Sequence, residues 1–188
     1  STETITLPNN LTIDPFVSYG SVSPASVTFQ WELLDGPAPV IFTTPNEPFS
    51  EIRFDLPGTY NLRLNATAFD FDQSQEIKVT VHDSYLAWVD RTFKKNTPGE
   101  TEKENDPDND GISNLFEFIL GLDPSTQDNE NFPTPIFDAG SKTLSLTWTN
   151  RQLDPKRFSV IAEVSDDLRN WRSDSASIHV ETLSSSDL

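Results

Sequence analysis

The chain contains no cysteine, so no disulfide can staple it. A secreted eukaryotic module of this size would often carry disulfides, and their absence points elsewhere. Positive charge is equally scarce. Thirteen Lys and Arg stand against 30 Asp and Glu, for a formal charge of -17. So few cations cannot neutralise a phosphate backbone, which excludes nucleic acid as a partner, and they offer nothing to an anionic membrane surface. No apolar run approaches the roughly 20 residues that a membrane-spanning helix needs, which argues against insertion. There are only two histidines, His82 and His179, and no strained Ser elbow. A Ser or Thr nucleophile needs a positioned base, so acyl-transfer chemistry is poorly served. The opening residues, S-T-E-T-I-T-L-P, lack the charged-then-apolar pattern of a secretion signal. A mature chain, or a piece excised from a longer one, is the expectation.

What is present is aromatic and acidic. Thirteen Phe, four Trp and three Tyr in 188 residues suffice for compact cores built on large rings. On length alone the chain is one large domain or two small ones. Abundant Thr, Ser, Asn and Pro with few Lys suggest an exported bacterial protein. Strong acidic self-repulsion calls for compensation, and bound divalent cations are one route to it.

Residues 1–82 read as all β. Val27, Phe29, Trp31 and Leu33 alternate with polar Thr28, Gln30 and Glu32. Ile52 and Phe54 repeat the pattern, as do Tyr60, Leu62, Leu64 and Ala66, and then Ile77, Val79 and Val81. A period of two with one wet face marks antiparallel sheets packed face to face. The turns Asp35-Gly36-Pro37, Pro45-Asn46 and Pro57-Gly58 punctuate the runs. Short strands at this spacing predict a sandwich.

The period then changes. From Ser84 onward, Tyr85, Leu86, Trp88, Val89 and Phe93 recur at helical spacing, with Asp83 or Ser84 as N-cap and Lys94 and Lys95 at the negative end. After a polar connector over 96–105 comes D-P-D-N-D-G-I-S-N-L-F-E at 106–117. Asp106, Asp108 and Asp110 stand at loop positions one, three and five, and Gly111 at the sharp turn of position six. Ile112 offers its carbonyl at seven, Asn114 a ligand at nine, and Glu117 a bidentate carboxylate at twelve. A hard cation that takes about six to eight oxygens suits that register, so one Ca2+ ion is expected here. A second helix runs from Ser113 to Leu120 and stops at Gly121, a preferred residue just past a helix end. Leu115, Phe116, Phe118, Ile119 and Leu120 make it apolar nearly all round, which predicts burial between the first helix and the flanking β domains.

Residues 126–188 read as a smaller β domain. Leu144, Leu146 and Trp148 alternate with Ser145, Thr147 and Thr149, and Phe158, Val160, Ala162 and Val164 form a second run. Ile178 and Val180 suggest one more strand. So few strands leave an edge unpaired, so the domain is expected to be truncated, or completed by another chain.

Three resemblances reach these residues. The segments W-E-L-L-D-G-P at 31–37 and L-P-G-T-Y-N-L at 56–62 resemble a PKD-type immunoglobulin-like domain of bacterial surface proteins. That resemblance implies a core Trp31 and a corner-tying Tyr60. Residues 106–124, closed by G-L-D-P, look like bacterial thrombospondin type 3 repeats and dockerin loops, in which half an EF-hand occurs without an abutting entering helix. A dockerin would carry two such loops, and this chain has one. The whole order, ending in S-D-D-L-R-N-W, is similar to the C-terminal regions of large exported proteins of Verrucomicrobia and Planctomycetes type. The likeness implies an extracellular accessory region without chemistry of its own.

The resulting expectation is a mainly β chain in three parts: a PKD/Ig-like sandwich over 1–82, a helix–calcium loop–helix over 83–125, and a β domain over 126–188. Its function reads as a calcium-stabilised structural, spacer or assembly module, secreted or at the cell surface, and not an enzyme. Its partners would be other domains or chains of the parent protein, reached by strand addition. The rival is a carbohydrate-binding or adhesion module that stacks sugars on an exposed Trp. For that role Trp31 and Trp148 read as core, Trp88 lies on the apolar side of its helix, and Trp171 is the least determined.

Overall fold

The computed structural model describes residues 1–14, 26–69, 71–93, 99–149, 151–175 and 177–180. The fold is mainly β, a sandwich followed by a short helical segment, and the chain divides into two compact units, Ser1–Asp154 and Pro155–Leu188. Lys94 and Lys95, expected at a helix end, lie outside the described residues.

In the first unit, one sheet is built from β1 (Thr2–Thr6), β7 (Phe71–His82), β6 (Gly58–Ala68) and β3 (Thr28–Asp35), in that spatial order. Strand β1 runs parallel to β7, and the other pairs are antiparallel. A second sheet orders β2 (Leu11–Ile13), β5 (Ser50–Arg53) and β4 (Ile41–Phe42). The alternation seen in sequence becomes the core. Phe29, Trp31, Tyr60, Leu62, Leu64, Ile77, Val79 and Val81 of the larger sheet are buried in one cluster with Ile52 and Phe54. Cross-strand pairs such as Trp31 with Leu64 and Tyr60 with Val79 set the register. A one-residue slip would turn these faces outward.

Polar tips of the large rings are satisfied at the rim. Trp31 Nε1 donates to the Glu47 carbonyl at 3.0 Å and its ring stacks on Phe42. The Tyr60 hydroxyl donates to the Leu56 carbonyl at 2.8 Å, tying the corner that leads into β6. Burial raises the Tyr60 pKa, with the Leu56 contact opposing it and the nearby Asp55 charge adding to it. Gly36 lies flat against the Tyr60 ring, where a β-carbon would come within 2.4 Å of Cδ1.

Helix α1 (Tyr85–Thr92) begins as its sequence predicts, with Ser84 Oγ accepting from the Ala87 N–H. Helix α2 (Asn114–Leu120) ends at Gly121 in the left-handed region, φ 80°, with the Gly121 and Leu122 N–H groups both donating to the Glu117 carbonyl. Burial of α2 differs from expectation. It hides one stripe, Asn114, Glu117 and Phe118, and leaves Phe116 exposed, edge-on to Phe132. An apolar helix is covered only where a neighbour reaches it. Here that neighbour is α1, whose Tyr85 and Trp88 rings meet Phe118 at 5.5 and 5.6 Å.

Strands β8 (Ile136–Asp138) and β9 (Thr143–Ser145) form an isolated ribbon with Ile136, Phe137 and Leu144 exposed. Leu146 is exposed beyond the end of β9, and Trp148 is only half-buried.

In the second unit the alternation over 158–164 produces no extended strand among the described residues. A single bridge joins Val164 to Arg172 around a tight turn, in which Asp167 accepts from the N–H groups of Arg169 and Asn170. Those hydrogen bonds hold the Asp167 carboxyl well below the usual carboxylate range. Val160, Ile161 and Trp171 remain exposed. Among the described residues of this unit no second layer covers the hairpin, and β-patterned sequence without a face to bury stays irregular.

Candidate metal centre

The loop is organised by its own carboxylates. Asp106 Oδ1 and Asp108 Oδ1 both accept from the Asp110 N–H at 3.2 Å, and Asp106 Oδ2 accepts from the Gly111 N–H at 2.9 Å. Asp110 Oδ1 accepts from the Ile112 N–H at 2.8 Å. Two left-handed residues, Asn109 at φ 61° and Gly111 at φ 92°, let the chain reverse. Nothing lies within 4 Å of a β-carbon built on Gly111, so its requirement is backbone conformation and not space. One oxygen from each of Asp106, Asp108 and Asp110 falls within 4.8 Å of the other two, an arrangement able to hold a metal ion.

Glu117, on α2, lies within electrostatic range of these aspartates. It is 0% exposed, and neither carboxylate oxygen has a hydrogen-bond partner among the described residues. Burial first, then the negative charges of Asp108, Asp110, Asp128 and Asp106, push its pKa up to about 8. Asp108 is also raised, mainly by burial, and its Oδ2 is likewise buried and unpartnered. An unpaired buried carboxylate facing other carboxylates is costly as the anion. A hard cation coordinated by oxygen would remove that cost, so the donor set fits one.

The other predicted residues occupy distinct places. The Ile112 side chain is buried, at 5% exposure. Asn114 is fully buried, and its Nδ2 donates to the Glu100 and Glu102 carbonyls at 2.6 and 2.8 Å. Its main-chain N–H donates to the Asn105 carbonyl and that of Leu115 to the Lys103 carbonyl. Residues 99–105 thus cap α2 from outside, because Ser113 makes no side-chain cap. Asn105 Nδ2 closes the connector on the Gly99 carbonyl. Tyr85 packs on the same connector, donating to the Thr101 carbonyl, and burial together with nearby Glu102 pushes its pKa up to about 12.

Sequence reasoning missed a second segment at the loop. After Asp123, whose Oδ1 accepts from Ser125 N–H and Oγ, the chain folds back. Gln127 Nε2 donates to the Asp108 carbonyl at 2.7 Å, Asp128 N–H to Asp110 Oδ2 at 3.2 Å, and Asn129 Nδ2 to the Asp110 carbonyl at 3.3 Å. The only sequence signal for this return was the Asp-Pro-Ser turn at 123–125.

No family model matches the chain, and no curated protein does. Among solved structures it is similar to a PKD domain determined in solution, at 21% identity and a TM-score of 0.35, over 44% of this chain and 80% of that one. It is also similar to a quinonprotein alcohol dehydrogenase-like protein from Bacteroides thetaiotaomicron, at 14% identity and a TM-score of 0.34. That likeness covers 45% of this chain and 18% of the other. No helix among the described residues is long and apolar enough to cross a membrane.

Proposed function

We propose that the chain is a non-enzymatic, calcium-stabilised structural module of an exported bacterial protein, in which one Ca2+ ion fixes the joint after a PKD/Ig-like sandwich. The observation that carries this reading is Glu117, a fully buried carboxylate with two unpartnered oxygens beside three clustered aspartates. Asp106, Asp108, Asp110 and Glu117 would bind the ion through side chains, Ile112 through its carbonyl, and Asn114 through its Oδ1. Calcium supplies compensating charge at oxygen ligands. Glu117 then holds α2, and Phe118 behind it packs on Trp88 of α1.

A structural task suits the site better than sensing. Sensors open a groove between paired helices that flank their loops. Here a capped irregular connector enters the loop, and α2 is pinned to α1. Strand addition to the exposed β8–β9 ribbon is the proposed route to partner chains of the parent protein.

The test is thermal unfolding with calcium and with EDTA. The midpoint should rise with calcium in the parent and not respond in an Asp108→Ala, Glu117→Ala double variant. An unchanged parent midpoint with EDTA would refute the role. A carbohydrate-binding reading has one observation in its favour, the 53% exposure of Trp171. Retention on a polysaccharide that Trp171→Ala abolishes would support it, and no retention on any glycan would end it.

A further inference from the structure

Asp128 lies eleven residues beyond the calcium loop's last position, yet the structure seats it on the loop. Its N–H donates to Asp110 Oδ2 at 3.2 Å, which holds its backbone against the loop. Its Oδ2 accepts a long 3.4 Å contact from the Asp123 N–H. Its Oδ1 is buried with no partner among the described residues. The same condition holds for Asp108 Oδ2 and for both oxygens of Glu117. Buried carboxylate oxygens are ordinarily hydrogen-bonded, and each exception calls for a cause. Here four of them, from the loop, from α2 and from the returning segment, share one cause if they face a common cation.

We infer that Asp128 is an additional calcium ligand supplied from outside the loop, so that the ion staples residues 123–131 to the 106–117 loop. The inference rests on the metal reading given above and extends it. Asn114 Oδ1 is likewise buried without a partner among the described residues, and the commitment of its amide nitrogen to the Glu100 and Glu102 carbonyls leaves that oxygen for the ion beside Asp128. Gln127 and Asn129, on either side of Asp128, donate to the Asp108 and Asp110 carbonyls, so the segment is already docked in register. A hard divalent cation that takes about six to eight oxygens accommodates a further carboxylate, and each added negative ligand raises its affinity.

The decisive experiment measures metal binding by the full chain with calcium alone, and inner-sphere water with terbium(III) as a luminescent substitute. Asp128→Ala keeps the main-chain N–H bonded to Asp110 and removes only the side chain. It should weaken calcium binding by at least about tenfold and raise the water count from luminescence lifetimes by about one. Asp128→Asn, which keeps an oxygen but not the charge, should restore the water count and leave affinity reduced. If Asp128→Ala loses its fold, unchanged calcium affinity in Asp128→Asn overturns the inference. Weaker affinity with an unchanged water count in Asp128→Ala would make Asp128 a mere support and overturn its role as ligand. Parent-like affinity and water count in that variant would sink the inference while leaving the loop's metal site intact. Absence of any binding by the parent would instead sink the metal reading itself.

Discussion

Glu117→Gln should stabilise the metal-free protein and at the same time abolish its response to calcium. The side chain is fully buried, and none of its oxygens is hydrogen-bonded among the described residues. Without a cation, its ionised form faces Asp106, Asp108, Asp110 and Asp128, with the Tyr85 hydroxyl also within electrostatic range. A neutral amide of the same shape escapes that repulsion. The folded carboxyl takes up its proton near pH 8, whereas the unfolded one does so near its ordinary value of 4.5. At about 1.4 kcal/mol per pH unit, the distance between these values sets a ceiling of about 5 kcal/mol.

Relaxation of the loop toward solvent lowers the realised figure to on the order of 3 kcal/mol, the usual scale for an uncompensated buried charge. For a chain of this length that corresponds to roughly 6–12 °C in midpoint. In EDTA at pH 8.5, Glu117→Gln should therefore melt above the parent. Because the folded pKa is raised, the Glu117 contribution to metal-free stability is fully present below about pH 4.5 and is lost as pH climbs through about 8. The variant's lead should shrink accordingly as pH falls across that window. Calcium at about a thousandfold over its Kd adds about 4 kcal/mol to the parent and returns the lead to it. Scanning calorimetry of both proteins, with and without calcium at pH 6 and 8.5, reads all of these effects. A Gln variant that melts below the parent in EDTA at pH 8.5 refutes the reasoning.

Two further outcomes test the frame around the site. Gly36→Ala forces a β-carbon to within 2.4 Å of Tyr60 Cδ1, and the cost of overpacking is about 1–3 kcal/mol. The urea midpoint should fall at unchanged m-value, and an unaltered midpoint would mean that the Tyr60 corner is loose. Asp83→Asn removes a fully buried carboxylate that Arg91 Nη2 contacts at 2.6 and 2.8 Å and Arg151 at 3.8 Å. With two guanidinium groups left facing a neutral amide, stability should drop by about 3 kcal/mol. Because Arg151 lies over the Trp88 ring, near-UV circular dichroism should change as well, and an unchanged spectrum would place Arg151 independently of Asp83.

Most of the sandwich and much of the loop were legible because each signal there is local. Alternation at 60–66 and 77–81 survives as buried faces, since those strands have partners on both sides. Ser84 and Gly121 act where the sequence puts them, because caps answer to their own helix. The register of Asp106, Asp108, Asp110 and Gly111 follows from how tightly a short loop must curl. What escaped was tertiary. Carbonyls from 99–105 that cap α2, and Asp128 seated on the loop from beyond α2, carry no periodic signature. The runs at 144–148 and 158–164 mislead for the opposite reason. They state a preference that becomes a strand only when another layer covers it, and Val160 and Ile161 stay exposed.

On the proposed reading, the position of Glu117 would let a loop with little apolar surface stiffen a joint. It shares a buried stripe of α2 with Phe118, whose ring meets Tyr85 and Trp88 of α1. Arg151 lies over both Trp88 and Phe118, donates its N–H to the Ile119 carbonyl, and approaches Asp83 at 3.8 Å. Asp83 directly follows β7, the strand paired to both β1 and β6. The path from loop to sandwich therefore runs through packed rings and one buried carboxylate–guanidinium cluster, without a flexible link. Metal binding at the loop would act on this path through Glu117 and Asn114, the two proposed ligands that α2 carries. Glu117 is the ionisable one of the two, so a single Glu117→Gln change should separate the cation's contribution from that of the packing.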